Sequence, residues 1–346
     1  MASTTDSAPR RRAAAARMAW LAAGIALLVA LCAASVAFGT RRIPLAEVFD
    51  AFLGEPRDRA EQITRAVLYR RLPRTVLAAL IGAALAVSGT AMQAVTRNPL
   101  ADPGILGVSN GAALAVVIGL AFFDVGDPSL TMAISIAGSA VAAVFVYTVG
   151  SLGRGGATPL KLALAGAASS AAFASLVSAI VLPRARVMET FRSWQIGGVG
   201  GASWESIGAV APVLAAGAFV CLASARGMNS LALGDDVATG LGENVRRTRA
   251  VASLGAVVLC GAAVAAAGPI GFVGLVVPHV CRLAAGVDHR WLLPLSALVG
   301  ACLLVGADLV GRVLVDSEQI DVGIITPFIG APFFVWIVRR QKVREL

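Results

Sequence analysis

The chain reads as an all-α integral membrane protein with ten transmembrane helices and both termini on the cytoplasmic side. Three observations carry this expectation. The composition is 58% hydrophobic and only 14% charged, with a mean hydropathy of +0.81, outside the range of soluble domains. Charge-free intervals recur at the length of a helix crossing about 30 Å of hydrocarbon, roughly 20 residues at 1.5 Å each. The Lys and Arg residues between those intervals divide unevenly between the two sides that ten spans would define.

The intervals are 18–40, 75–96, 103–123, 128–153, 162–183, 206–225, 250–281, 291–307 and 322–338. Most are long enough for one helix, but 250–281 would make about 48 Å of helix. That run carries "GPIGFVG" at its middle, so a fold-back at Gly268–Pro269 is expected and the count rises to ten. An even count puts both ends on one side, and the cytoplasmic assignment places 17 of the 29 Lys and Arg inside. Eight of the remaining twelve lie in one outer loop, Arg41 to Arg74. On charge alone that loop fits either a headgroup-facing surface or a docking patch for an acidic partner. The expected organisation is a cytoplasmic tail at 1–17, one membrane domain at 18–340 and a second tail at 341–346. Within the domain, 41–74 is a basic outer loop and 226–249 a polar cytoplasmic one.

The "RRR" before the first apolar run imitates a secretion signal, but at about 23 residues the run suits an anchoring helix better. Cys32, Cys221, Cys260, Cys281 and Cys302 all fall in spans without paired spacing and read as small packing residues. Two segments suggest a faint internal repeat. Arg74 leads a span to Gly89 and then "NPLADPG"; Arg249 leads one to Gly268 and then "PIGFVGLVVPH". The parity of spans would make the two opposite in orientation. Small residues crowd the spans, as in "IGAALAVSGTAMQ" and "GAAVAAAG", which permits close helix packing or a wide pathway.

Catalytic readings are poor. His279 lies near the inner end of a span and His289 in a loop, and neither has a Cys or carboxylate at metal-ligand spacing. "GDD" at 234–236 is similar to the acidic pairs of prenyl-transfer enzymes, without the second acidic cluster that would share a metal. No Gly-rich loop ends in Lys-Ser or Lys-Thr, so a nucleotide-hydrolysing site is not expected. The spans are nearly free of the ionisable groups that an ion-coupled transporter buries. The exception is Asp308 and Arg312, one helical turn apart and able to pair near the outer end of a span.

Three long segments carry a resemblance. "RLPRTVLAALIGAALAVSGTAMQAVTRNPLADPGILGVSNGAALA" (71–115), "GPIGFVGLVVPHVCRLAAGVDHRWLLPLSALVGACLLVGADLVGR" (268–312) and "GIITPFIGAPFFVWIVRR" (323–340) closely resemble the FecCD-type permease subunits of type II ABC importers. That family carries iron-siderophore complexes, haem and cobalamin. The resemblance implies ten helices per subunit arranged as inverted repeats, in a homodimer or heterodimer of permeases with a central pathway. It also implies two cytoplasmic ATPase subunits, an extracytoplasmic substrate-binding protein, a small-molecule metal chelate as cargo, and residence in the cytoplasmic membrane. No cofactor, catalytic residue or nucleic acid is implied.

Residue by residue, Arg71, Arg74 and Arg312 match arginines that meet acidic groups of the binding protein in the cobalamin importers. The cytoplasmic gate corresponds to Asn98 and Leu100 in one loop and Thr158 and Leu160 in another, although Pro159 and Leu160 depart from the cobalamin relative. "LALGDDVATGLGENVRRTR" (231–249) matches a pair of short helices that seat in a cleft of the ATPase. Asp235 and Asp236 after Gly234 suit a helix start, and Gly240-Leu241-Gly242 can end one helix and begin another. The expected coupling residues are Gly234, Asp235, Asp236, Val237, Ala238, Leu241 and Gly242, with Val237, Ala238 and Leu241 as the apolar face. Arg246, Arg247 and Arg249 are expected to hold the chain at the inner membrane surface. A short helix at 191–204 resembles the segment flanking the outer mouth, with Phe191, Trp194 and Trp204 also readable as interfacial anchors. "FRSWQIGG" is closer to the siderophore members than to the cobalamin one, so a ferric siderophore is the expected cargo and haem and cobalamin are alternatives. An ATPase-independent transporter and a membrane enzyme using "GDD" are the readings from other classes.

Overall fold

The computed structural model describes residues 7–39, 58–152, 158–314 and 319–340. Outside them lie both chain ends, 40–57 with Arg41, Arg42 and Arg57, 153–157 and 315–318. The described chain forms helices α1 (Ser7–Ala37), α2 (Arg59–Thr96), α3 (Val108–Phe122), α4 (Pro128–Ser151), α5 (Pro159–Val181), α6 (Ala185–Ile196) and α7 (Trp204–Ala223), followed by α8 (Ala225–Leu231), α9 (Asp235–Gly240), α10 (Val245–Ala267), α11 (Val273–Ala285), α12 (His289–Val313) and α13 (Val322–Arg340). Helices α1, α2, α4, α5, α7, α10 and α12 are long and apolar enough to cross a membrane, and α3, α11 and α13 are shorter apolar helices.

Polar residues at the edges of the charge-free intervals become caps. Asp58 accepts from the Glu61 N–H at 2.8 Å, Asp127 from Leu130 at 2.7 Å and Asn244 from Arg247 at 3.0 Å. Ser203 and Ser206 form a reciprocal capping box at the start of α7. Each satisfies backbone donors that a helix start leaves open.

Three boundaries differ from the sequence expectation. The second half of the basic outer loop is helical, because the Asp58 cap starts α2 well before the apolar run. The third span starts later than 103: Asp102 caps a short 3-10 turn at Pro103–Leu106, and α3 begins after Gly107. The short outer helix is Ala185–Ile196 rather than 191–204, since Gly197 at φ 75° ends it and a glycine-rich turn leads to the Ser203 cap. The fold-back at Gly268 is present: α10 ends there at φ 69°, a left-handed value that glycine adopts without a Cβ penalty.

Two helices form the centre. The most apolar stretches of α2 and α10 are 78% and 67% buried, whereas those of α1 and α5 are 11% and 17% buried. The outer helices therefore offer apolar surface to lipid or to another subunit. Glycines set the central spacing: a Cβ on Gly82 of α2 would stand 2.2 Å from the Gly300 carbonyl oxygen of α12, and one on Gly89 would stand 2.0 Å from that of Gly274 in α11. Neither backbone can retreat, so these positions admit only hydrogen. Both α2 and α10 run into a short linker, which after α2 includes the 3-10 turn, and then a short apolar helix, α3 or α11, which is the pattern of the two segments compared in the sequence.

One end of the bundle, where α6 lies, is tied by a buried ion cluster. Asp308 of α12 accepts from Arg74 Nε of α2 at 2.9 Å and stands 2.9 Å from Arg312 Nε in a charge contact. Arg312 also donates to the Ser35 and Phe38 carbonyls at 3.0 and 3.3 Å. Arg71 donates to those of Val36 and Ala37 at 2.8 and 3.2 Å. No basic residue lies in the last turn of α1, so two arginines from other helices cover its open carbonyls and the negative end of its dipole.

Two outcomes follow from this packing. Gly82→Val should lower the thermal stability of detergent-purified protein by about 1–3 kcal/mol or more, the overpacking range; an unchanged melting temperature would show that the α2–α12 contact yields. Asp308→Asn leaves two buried guanidiniums without their counter-charge and should cost about 3–5 kcal/mol. Melting and the yield of folded protein measure this.

Candidate functional site

The expected coupling segment sits at the bundle end opposite α6. Gly234 holds φ 111° and Gly242 φ 84°, so glycine is required on both sides of α9. The Leu241, Gly242 and Glu243 N–H groups close the helix by donating to the Val237, Thr239 and Ala238 carbonyls at 3.0, 2.9 and 3.0 Å. Asp235 and Asp236 occupy the first turn, where carboxylates favour the positive end of the helix. Val237 and Leu241 are 51% and 66% exposed, but Ala238 is fully buried. The expected apolar face is corrected accordingly: Ala238 packs against its own chain, and Leu233, 61% exposed, joins Val237 and Leu241 as outward apolar surface.

The residues expected to form the gate are split. Asn98 follows Arg97, the left-handed cap of α2 at φ 51°, and its side chain accepts from the Leu100 N–H at 2.9 Å in an Asx turn. Thr158 caps α5 by accepting from Lys161 at 3.3 Å, and Pro159 takes the first helical position, where its missing donor costs nothing. Leu100 and Leu160 are both exposed. A cavity of about 880 Å³ opens between the two regions, and Asp235, Asp236, Gly242 and Thr158 all line it, along with Tyr147, Ser151 and Arg246. Asn98, Leu100 and Leu160 do not line it.

Arg97, Asn229, Asp288 and Gln93 were not singled out in the sequence. Arg97 pairs with Asp235 and donates to the Leu231 carbonyl at 2.8 Å. Arg249 reaches the same Asp235 oxygen at 2.9 Å, so it works inside the protein as well as near its surface. Asn229 of α8 donates to Asp288 at 2.7 Å and accepts from the His289 N–H at 2.9 Å. His289 is therefore not a loop residue but the buried first residue of α12. Burial alone would raise the Asp288 carboxyl, but the Asn229 amide, the Arg290 N–H and the charges of Arg290 and Arg17 together hold it below the usual range. Gln93 of α2 donates to the Gly274 carbonyl at 3.1 Å and is met by Arg282 of α11. The ties of Arg97, Asn229 and Gln93 join residues far apart in sequence, where periodicity gives no signal.

At the other end, Arg71, Arg74 and Arg312 lie together but beneath the surface, 7%, 8% and 3% exposed. They are committed to the ion cluster and to α1. Arg74 also donates to Gln319, just before α13. Burial pushes the nearby Asp321 carboxyl up, Arg74 pulls it back and the Asp308 carboxylate adds to the rise. The turn after α6 is tied in here: Gly198 donates to the Ala267 carbonyl at 2.8 Å and Gly323 to that of Gly197 at 3.0 Å. Phe191 is buried and stacks on Trp194, ring centroids 5.8 Å apart, so of the three aromatic residues only Trp204, 53% exposed, is placed to anchor an interface.

This arrangement has known counterparts. The ferric enterobactin transport system permease protein FepD of Escherichia coli (strain K12) is 43% identical over 316 residues, covering 91% of this chain and 93% of that protein. The cobalamin import system permease protein BtuC of Halobacterium salinarum is 43% identical over 277 residues, covering 80% and 74%. The solved structure of a metal-chelate type ABC transporter in an inward-facing conformation superposes with a TM-score of 0.82 at 27% identity, over 94% of this chain and 99% of that one. The profile of the FecCD transport family matches residues 27–340, and the chain belongs to that family.

Proposed function

We propose that the chain is the membrane permease subunit of an ATP-binding-cassette importer, passing a ferric siderophore handed over by a substrate-binding protein and powered by separate ATPase subunits. The observation that carries this reading is the α8–α9 segment. It projects Leu233, Val237 and Leu241 outward from one end of the bundle and is tied through Asp235 to the residue that precedes the first gate loop. Such a segment suits mechanical contact with a partner rather than chemistry of its own. In this reading the three short apolar helices complete ten crossings, the two helix-linker-helix segments are inverted repeats, and the α9 end with both termini is cytoplasmic. Two permeases, identical or different, and two ATPases make the complex.

The docking role of Arg71, Arg74 and Arg312 is proposed in a changed form. Their guanidiniums tie the ends of α1 and α12 to the middle of α2, and their charge exceeds that of Asp308, leaving a positive field beneath the outer surface. Such a field steers an acidic partner and sets its register. Haem or cobalamin by the same route is the second reading, favoured by the 43% identity to the cobalamin permease, which equals that to the enterobactin one.

Because Val237 and Leu241 are exposed, Val237→Asp and Leu241→Asp should leave the fold and melting temperature unchanged while abolishing co-purification of a co-expressed ATPase. Retention of the ATPase by both variants would remove the coupling role. Cargo is read by uptake into proteoliposomes holding the assembled complex, with ferric siderophore, haem and cobalamin in parallel. Accumulation of the siderophore alone is expected, and ATP-independent accumulation would overturn the importer reading.

A further inference from the structure

We infer that Asp235 is the positioning residue that transmits movement of α9 to the first gate segment, Asn98–Leu100, while the second segment, Thr158–Leu160, is reached only across the cavity. The inference rests on the coupling and gate roles proposed above and adds a route between them.

The route begins with how little else holds α9. It is a six-residue helix, too short to be stable alone, and Ala238 is its one buried side chain. Its ionic ties run through a single carboxylate oxygen, Asp235 Oδ1, which receives Arg97 from α2 and, at 2.9 Å, Arg249 from α10. Arg97 is a lever with a fixed base. It occupies the left-handed region at φ 51°, uncommon for a residue with a side chain, and also donates to the Leu231 carbonyl at the end of α8 at 2.8 Å. Arg97 therefore binds the end of α8 and the start of α9 at once, and the next residue is Asn98.

Among the described residues, no ion pair joins Thr158, Pro159 or Leu160 to α9. Asp235, Asp236 and Thr239 face Thr158, Leu162, Tyr147 and Ser151 from across the cavity of about 880 Å³. A displacement of α9 thus pulls on Asn98–Leu100 directly and reaches Thr158–Leu160 only when the space between them closes. The Arg97 and Asp235 side chains are 36% and 44% exposed, so the tie adds little to folding. Seating a partner on α9 would remove water from the pair and strengthen it.

The experiment uses the complete complex with ATPase and second permease in proteoliposomes. Cys32, Cys221, Cys260, Cys281 and Cys302 are replaced by Ala or Ser, and Leu100→Cys or Leu160→Cys is the reporter. Maleimide labelling is compared with and without ATP and vanadate, normalised to co-purified ATPase. In the parent both reporters should change with nucleotide. Asp235→Asn should erase the change at position 100 and keep that at 160, lowering cargo moved per ATP by about fivefold, the shift that about 1 kcal/mol of exposed ion pair can hold. Asp235→Glu, which keeps the charge, should restore both. A nucleotide response at position 100 that persists in Asp235→Asn overturns the inference with the gate reading intact. Reporters silent in the parent overturn the gate reading and the inference together.

Discussion

A single carboxylate, Asp308, determines how one end of this molecule is built. It is 1% exposed and stands between two guanidiniums that have no other counter-charge at comparable distance among the described residues. Charge buried in this way persists only when it is paired and its remaining hydrogen-bonding capacity is filled. Filling it recruits the carbonyls of α1, the Ser35 hydroxyl and Gln319. The arginines that resemblance assigns to an external partner therefore have an internal duty first, and any effect they have outside is exerted through position and field.

The opposite end follows a different rule. Polar ties there are exposed or half-exposed, the proposed coupling helix is short, and a cavity separates it from one of the two proposed gate segments. Rigid packing through glycine contacts holds the centre, where α2 meets α11 and α12 with no room for a side chain. The molecule thus combines a closed, charge-locked end with a looser end whose elements are joined by few contacts. Segments that must move are drawn from regions of low local stability.

Much of this was legible in the sequence. Charge-free intervals located the helices because a bilayer imposes length and apolarity on each one separately, and the break at Gly268 followed from an interval too long for one crossing. The Asp308–Arg312 pair could be read from helical spacing. Its third member, Arg74, could not, because it lies 234 residues away and pairing across such a distance leaves no local pattern. The same applies to Arg97 with Asp235 and to Asn229 with Asp288. Ala238 was misplaced because a six-residue helix is too short for a hydrophobic period to show which side faces inward.

The closure of α1 has a consequence for how the chain is made. The helix is made well before α12, and the Arg312 that covers its carbonyls follows 277 residues after Ser35. During synthesis the first helix must therefore stay in the membrane with its last turn incompletely capped, while Arg74 waits for an aspartate that has not been translated. Whatever inserts this protein must shelter those groups until α12 arrives. A nascent chain that stops before Asp308 would leave Arg74 without the carboxylate it meets in the finished fold.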